Sequence, residues 1–286
     1  MYKDIKIILS KNKSLYRFLS KIKNHSALKL EKKYDLITSN IIKGNAIVSI
    51  ENIEGEYELD LRSDILKRIL LTKEYEPEIV DLIIKKINPQ KDVINIGANI
   101  GLYSNLTASK INSNRKVLAI EPTSGAFDLL KKNINRNRNE NKIILYKGVA
   151  SDKVGDCEMH IISGMEEYSS VGSLVHDAVI NNLKFKKEIV PGNTVDNLIN
   201  ENNLEPQLLV MDVEGAELKV FLGAKNTLLK HRPIIISELS DKLLLEQNTS
   251  SKEVISFLEN LNYVVTDLEG NKPKFPFDGN ILAEIR

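Results

Sequence analysis

From residue 92 onward, short apolar runs of strand length alternate with stretches of helical period, which limits the chain to a mostly parallel sheet covered on both faces. The runs fall at 92–97, 116–121, 142–148, 208–212, 233–238 and 262–267, with a closing run at 280–285. Helical periodicity occupies 101–111, 124–137, 215–230 and 251–260, and Thr194 is placed to cap a further helix to about Asn202. The stretch 154–190 is less regular, with strand-like pieces at 157–162 and 186–190 around a polar segment. Before the alternation, β-branched stretches 46–50 and 57–61, broken by Gly44 and Gly55, predict a hairpin. Ser63 or Asp64 caps a short helix to Leu71, and a helix from Glu76-Pro77 to Ile87 stops at Asn88-Pro89. The closing run is expected to pair antiparallel with its neighbour.

The first run ends in Asn95-Ile96-Gly97-Ala98-Asn99-Ile100-Gly101. Gly97 and Gly101 strip side chains from a strand-to-helix turn, so a large ligand can approach the backbone there. The same spacing also serves ordinary helix–strand packing. The second run ends at Glu121-Pro122. A carboxylate at the tip of the second strand of a β-α-β unit is placed to accept from both hydroxyls of a ribose. The glycines do not follow G-x-G-x-x-G, so no pyrophosphate clamp is evident, which disfavours a nicotinamide or flavin. S-adenosylmethionine has a ribose and no phosphate, and it fits these residues better.

Composition narrows the remaining classes. The chain has 286 residues, 42% hydrophobic and 28% charged, the profile of a folded globular protein rather than a disordered one. One cysteine, Cys157, excludes an internal disulfide framework and suits a reducing compartment. His25, His160, His176 and His231 share no ligand spacing with it, so no metal site is expected. No apolar run approaches the roughly 18–20 residues that span a bilayer, and a cytoplasmic location is expected. Residues 1–33 hold ten Lys/Arg against Asp4 and Glu31, a balance of +8 that leaves −7 for the remainder of a chain whose net charge is +1. With Leu15, Phe18, Leu19 and Ile22 on one helical face, this segment fits either a helix packed on its own protein or a basic helix peripheral to an anionic membrane. The acidic remainder carries no nucleic-acid recognition motif, and no nucleic-acid partner is expected.

Acids or glycines recur at successive strand ends, at 95–101, Glu121-Pro122, 148–152, Asp212 to Glu217 and Glu238, where open α/β sheets place ligands. Asn95-Ile-Gly-Ala-Asn-Ile-Gly-Leu-Tyr-Ser104, Ala119-Ile-Glu-Pro122, Thr194-Val-Asp196, Met211-Asp-Val-Glu-Gly-Ala-Glu217 and Pro233 to Glu238 together resemble the FkbM family of class I S-adenosylmethionine-dependent methyltransferases. The resemblance covers about residues 74–286. It implies a Rossmann-like fold, a seven-stranded mostly parallel sheet with an antiparallel last strand, and says little about residues 1–60; the N-terminal helical and hairpin extension over 1–73 is read from the residues themselves. It also implies methylation of hydroxyls on sugars, glycolipids or polyketides.

Carried over position by position, the resemblance sets Gly97, Ala98, Asn99 and Gly101 against the methionine portion of the cofactor and Glu121 on its ribose, with Ala150 to Asp152 near its adenine. Asn95 stands where the family carries Asp against the cofactor's ammonium, which implies weaker cofactor binding. Val210 stands where the family carries Lys. Methyl transfer from a sulfonium is an in-line displacement, and a hydroxyl nucleophile must also lose its proton. Asp212 and Glu214 are the candidate base or substrate anchor, while Glu217 suits the N-terminus of the following helix. Glu238 is a candidate for acceptor hydroxyls, as is Ser173 in the polar loop 163–174. The acceptor is expected to be a glycan, glycolipid or small molecule. A catalytically silent binding protein of the same fold, motivated by Asn95 and Val210, and a Rossmann oxidoreductase, disfavoured by the missing G-x-G-x-x-G, are the alternatives.

Overall fold

The computed structural model describes residues 44–162, 170–171 and 185–285. The basic segment 1–33 and Ser173, with most of its loop, lie outside the described residues.

A hairpin comes first, β1 (Asn45–Ile50) and β2 (Ile53–Asp60), antiparallel. Two helices follow, α1 (Asp64–Thr72) and α2 (Pro77–Lys86). Ser63 Oγ caps α1 by accepting from the N–H groups of Ile65 and Leu66. The main sheet is built from β3 (Asp92–Ile96), β4 (Val117–Ile120), β5 (Ile143–Tyr146), β10 (Pro206–Met211), β11 (Ile234–Ser240), β12 (Tyr263–Asp267) and β13 (Asp278–Ile285), in the order β12-β13-β11-β10-β3-β4-β5. β11, β10, β3, β4 and β5 run parallel, and β13 inserts between β11 and β12 antiparallel to both. The expected sheet and its reversed last strand are therefore present. The irregular stretch forms a second sheet: β6 (Val149–Ala150), β7 (Gly155–Ile162), β8 (Ser170–Val171) and β9 (Phe185–Asn193), in the order β6-β9-β7-β8.

The helices between the strands are α3 (Leu102–Lys110), α4 (Ser124–Arg136), α5 (Val195–Glu201), α6 (Glu217–Gly223), α7 (Lys225–His231), α8 (Asp241–Glu246) and α9 (Ser251–Asn260). Two differ from the sequence-based expectation. The single helix predicted over 215–230 is broken at Ala224. There the Asp196 carboxylate accepts from the N–H groups of Asn226 and Thr227 and from Thr227 Oγ1, at 3.0, 2.7 and 2.6 Å, and so caps the second piece from outside. Helix α8 was not anticipated, because six residues are too few to show a period.

The pleat divides the core. Val93, Val117, Ala119, Leu208 and Val210 face one side of the sheet, packed with the hairpin and α1 to α4. Ile94, Ile96, Leu118, Ile120, Leu209 and Met211 face the other, packed with α5, α6 and α9. The hairpin is fastened by two asparagines of the α4 segment. Asn133 Oδ1 accepts from the Glu58 N–H (2.7 Å) while its amide nitrogen donates to Glu58 O (3.1 Å) and Ile100 O (2.9 Å). Asn137 repeats the exchange with Glu56, donating to its carbonyl and accepting from its N–H, both at 3.0 Å. The two side-chain amides meet the free edge of β2 as a neighbouring strand would. Gly55, read as a break between strands, lies inside β2, and a Cβ there would stand 2.1 Å from Asn137 Oδ1.

Among the described residues no helix is long and apolar enough to cross a membrane.

Candidate functional site

Two clefts open at the carboxyl ends of the parallel strands. The first is an open cleft holding about 630 Å³ of space continuous with solvent. Gly97, Asn99, Glu121, Ala150, Asp212 and Glu214 are among its walls, together with Thr123, Gly148, Met159 and Val213. The second, about 1100 Å³, is lined by Asp212, Glu214, Glu217 and Glu238, by Asp64, Arg68 and Glu76 from the N-terminal part, and by Asp278. Asn99, Asp212 and Glu214 line both.

The first cleft owes its shape to backbone. The N–H groups of Gly97 and Ala98 both donate to Ile120 O, at 3.0 and 2.9 Å, which folds the turn after β3 over the end of β4. Gly97 has φ +73°, and a Cβ on it would stand 1.7 Å from the Asp212 carbonyl oxygen. Only glycine lets the loops after β3 and β10 approach this closely. Asn99 (φ +47°) and Glu214 (φ +50°) hold left-handed backbone at non-glycine residues, a conformation that persists where surrounding contacts enforce it. Glu121, 5% exposed, staples the floor: Oε2 accepts from the Asn99 N–H at 2.9 Å, and Oε1 accepts from the Thr123 N–H and Oγ1 at 2.9 and 2.6 Å.

The remaining expected cofactor contacts stand apart from this wall. Asn95 is 2% exposed and lines neither cleft. Strand parity turns its side chain to the face of Val93, where Oδ1 accepts from Ser104 Oγ of α3 (2.7 Å) and Nδ2 donates to Val210 O at 3.5 Å. Ala98 is buried beneath the turn, and Gly101 is the residue before α3, packed against Leu130. Asp152 is exposed next to Ser151, whose carbonyl packs on Gly223 of α6.

The second cleft is acidic. Asp212 is exposed where the clefts meet; desolvation by the protein around it pushes its proton affinity above the usual Asp range, with Glu214, Glu238, Glu76 and Glu217 adding to the push. Burial likewise raises Glu217, to about 7, against the lowering effect of the Glu217 and Gly215 N–H groups. Its Oε1 accepts from the Gly215 N–H at 3.1 Å, and its Oε2 is buried with no partner. Glu238 is raised by burial and by Glu76, with Arg68 opposing.

Sequence reasoning missed the wall from residues 64–76. Glu76 precedes Pro77 with φ +37°. It accepts from Arg68 at 2.6 Å and from the Tyr103 hydroxyl. The turn of the hairpin holds the adjacent backbone: Asn52 accepts from the Tyr75 N–H (3.0 Å) and donates to Tyr75 O (2.7 Å). The Glu-Pro pair was visible as a helix start, but nothing local pointed its carboxylate into a cleft. Among the described residues no group of three His, Cys, Asp or Glu side chains could hold a metal ion.

The residues present fit S-adenosylmethionine: a tight turn at Gly97 that brings backbone to the cleft, and a carboxylate at the second strand tip. A model of the methyltransferase FkbM domain matches residues 95–265. The hexuronic acid methyltransferase AglP of Haloferax volcanii is 24% identical over 157 residues, 54% of this chain and 58% of that protein. The chain thus spans less than two thirds of the length of that curated relative. Among solved structures, methyltransferase FkbM from Methylobacillus flagellatus KT overlaps with 16% identity, 77% of this chain, 52% of that one and a TM-score of 0.43. The O-methyltransferase from Bacillus cereus in complex with SAH overlaps with 13% identity, 91% of this chain, all of that one and a TM-score of 0.44. Neither overlap is close enough to place a residue.

Proposed function

The chain belongs to the FkbM methyltransferase family, whose methyl donor is S-adenosylmethionine, and from that premise we propose that it methylates a hydroxyl of a sugar, glycolipid or related polar metabolite. One observation carries this reading: the cleft at the tips of β3 and β4 and the polar second cleft share Asn99, Asp212 and Glu214. A donor on one side and an acceptor on the other would meet at these residues.

The cofactor, when bound, supplies an electrophilic methyl on a sulfonium. The protein's part is alignment and proton removal. Gly97 and Asn99 offer backbone to the methionine portion, Glu121 accepts from the ribose hydroxyls, and Ala150 borders the adenine end. Asp212 takes the proton of the acceptor hydroxyl. Its raised proton affinity makes it a stronger base than an ordinary Asp, and it lines both the donor and the acceptor cleft. Glu214 sits beside it as anchor and as the charge that keeps that affinity high. Asn95 supports the turn from beneath through Ser104, so a neutral amide there serves packing, and direct contact with the cofactor's ammonium passes to other groups of the cleft.

Calorimetry with S-adenosylhomocysteine tests the cofactor assignment. Saturable binding is expected, weakened about tenfold or more in Glu121→Gln, where an amide replaces one acceptor oxygen of the staple. No binding at millimolar ligand would overturn it. Mass spectrometry of glycans and glycolipids with and without the protein then tests the acceptor, as one methyl group gained. The contact of residues 1–33 with a membrane surface is a separate proposal: flotation with anionic vesicles should be lost in a chain beginning at Tyr34.

A further inference from the structure

Resting on the methyl-transfer reading, we propose that the second cleft takes an acceptor bearing an ammonium group, an amino sugar or amine-bearing polyol, with Asp212, Glu217 and Glu238 as counter-charges, and rejects acceptors that carry a carboxylate.

The first support is Glu217. It is 2% exposed, it lines the second cleft, and its Oε2 has no hydrogen-bond partner. A buried carboxylate oxygen is rarely left without a donor, and an ammonium brings three. The second support is the company it keeps. Glu238 raises the proton affinity of both Asp212 and Glu217, so the three groups sense one another's charge across the cleft. A cation between them relieves that repulsion, whereas a carboxylate adds to it.

The charge is not all owed to the cofactor. Glu217 and Glu238 line the second cleft and are absent from the walls of the first. Nor do the described residues offer a metal-binding group of three ligands that would claim it. The cation lining this cleft, Arg68, is held by Glu76 Oε1 at 2.6 Å and lies over the Tyr75 ring, 5.8 Å from its centre. A ligand carboxylate would have to compete with Glu76 for it. This specificity is the opposite of what a hexuronic acid acceptor requires.

Calorimetric titration of the protein loaded with S-adenosylhomocysteine, near neutral pH, compares glucosamine, glucose and glucuronate as probes. Glucosamine should bind about tenfold tighter than glucose, the difference expected when charge-assisted bonds replace neutral ones. Glucuronate should not bind. The preference for glucosamine should collapse in Glu217→Gln and, as a second variant at an open position, in Glu238→Gln. Equal binding of glucosamine and glucose, binding of glucuronate as tight as that of glucosamine, or no binding of glucosamine up to roughly 100 mM each overturns the proposal. If S-adenosylhomocysteine itself fails to bind, the methyl-transfer reading falls. The three sugars are then compared on the unloaded protein, where the same order decides the charge preference separately.

Discussion

The carbonyl oxygen of Asp212 occupies the space a β-carbon on Gly97 would need; the two would stand 1.7 Å apart. These residues are far apart in sequence and end neighbouring strands, β3 and β10. Their contact closes the cleft and sets the proposed base beside the turn that faces the cofactor. Gly97→Ala should therefore cost about 3 kcal/mol or more and abolish S-adenosylhomocysteine binding. Gly270→Ala separates backbone strain from this clash. Gly270 has φ +87°, but a Cβ on it would meet nothing within 4 Å, so only about 1 kcal/mol is expected. Equal losses in the two variants, read by denaturant unfolding, would show that the Asp212 approach is unimportant.

Asp212→Asn should reduce turnover by about 10²–10⁴-fold with cofactor affinity kept. The base must be ionised to act, so activity rises with pH through its raised pKa. Glu214→Gln removes a like charge that pushes this pKa up, and the acid limb of kcat should move to lower pH. An unchanged limb in Glu214→Gln, together with full turnover in Asp212→Asn, would remove both roles.

Glu217 links the cleft to stability. Its folded pKa, about 7, lies above the ordinary value of 4.5, so the native state binds the proton more tightly than the unfolded chain. Its contribution is present in full below the unfolded value and is lost as pH rises through about 7, a loss on the order of 3 kcal/mol. Glu217→Gln does not titrate. Relative to the wild type, it should melt higher at about pH 8 than at about pH 5. Melting differences that do not change with pH would contradict the raised pKa.

Asn133→Ala tests the fastening of the hairpin. It leaves the Glu58 N–H and carbonyl and the Ile100 carbonyl without a partner, which should cost about 2–4 kcal/mol. Cleavage by protease should then begin within residues 45–60. A loss below about 0.5 kcal/mol would mean that burial of Tyr57 and Leu59 alone holds the hairpin in place.

Much of this molecule was legible before folding was considered. The alternation after residue 92 announces the parallel sheet, and Glu121 and Asp212 stand at strand ends because those runs end where they do. Asn95 shows where such reading stops. Its place in the turn resembles a cofactor contact, yet the pleat turns its side chain to the far face, toward Ser104. Sequence spacing finds the end of a strand; which face a polar residue meets depends on what packs there.

What the sequence determined by itself is therefore local: strand and helix periods, the side-chain-free turn at Gly97, and a carboxylate at the tip of β4. These follow from neighbours within a few residues, where apolar spacing and backbone freedom act directly. Tertiary structure alone decided that Asp212 crosses over Gly97, that Glu76 and Arg68 line one cleft with Glu217 and Glu238, and that Asn133 holds the edge of β2. Each of these depends on segments distant along the chain being brought together by the burial of a shared core, and no local pattern records which distant partner burial will supply.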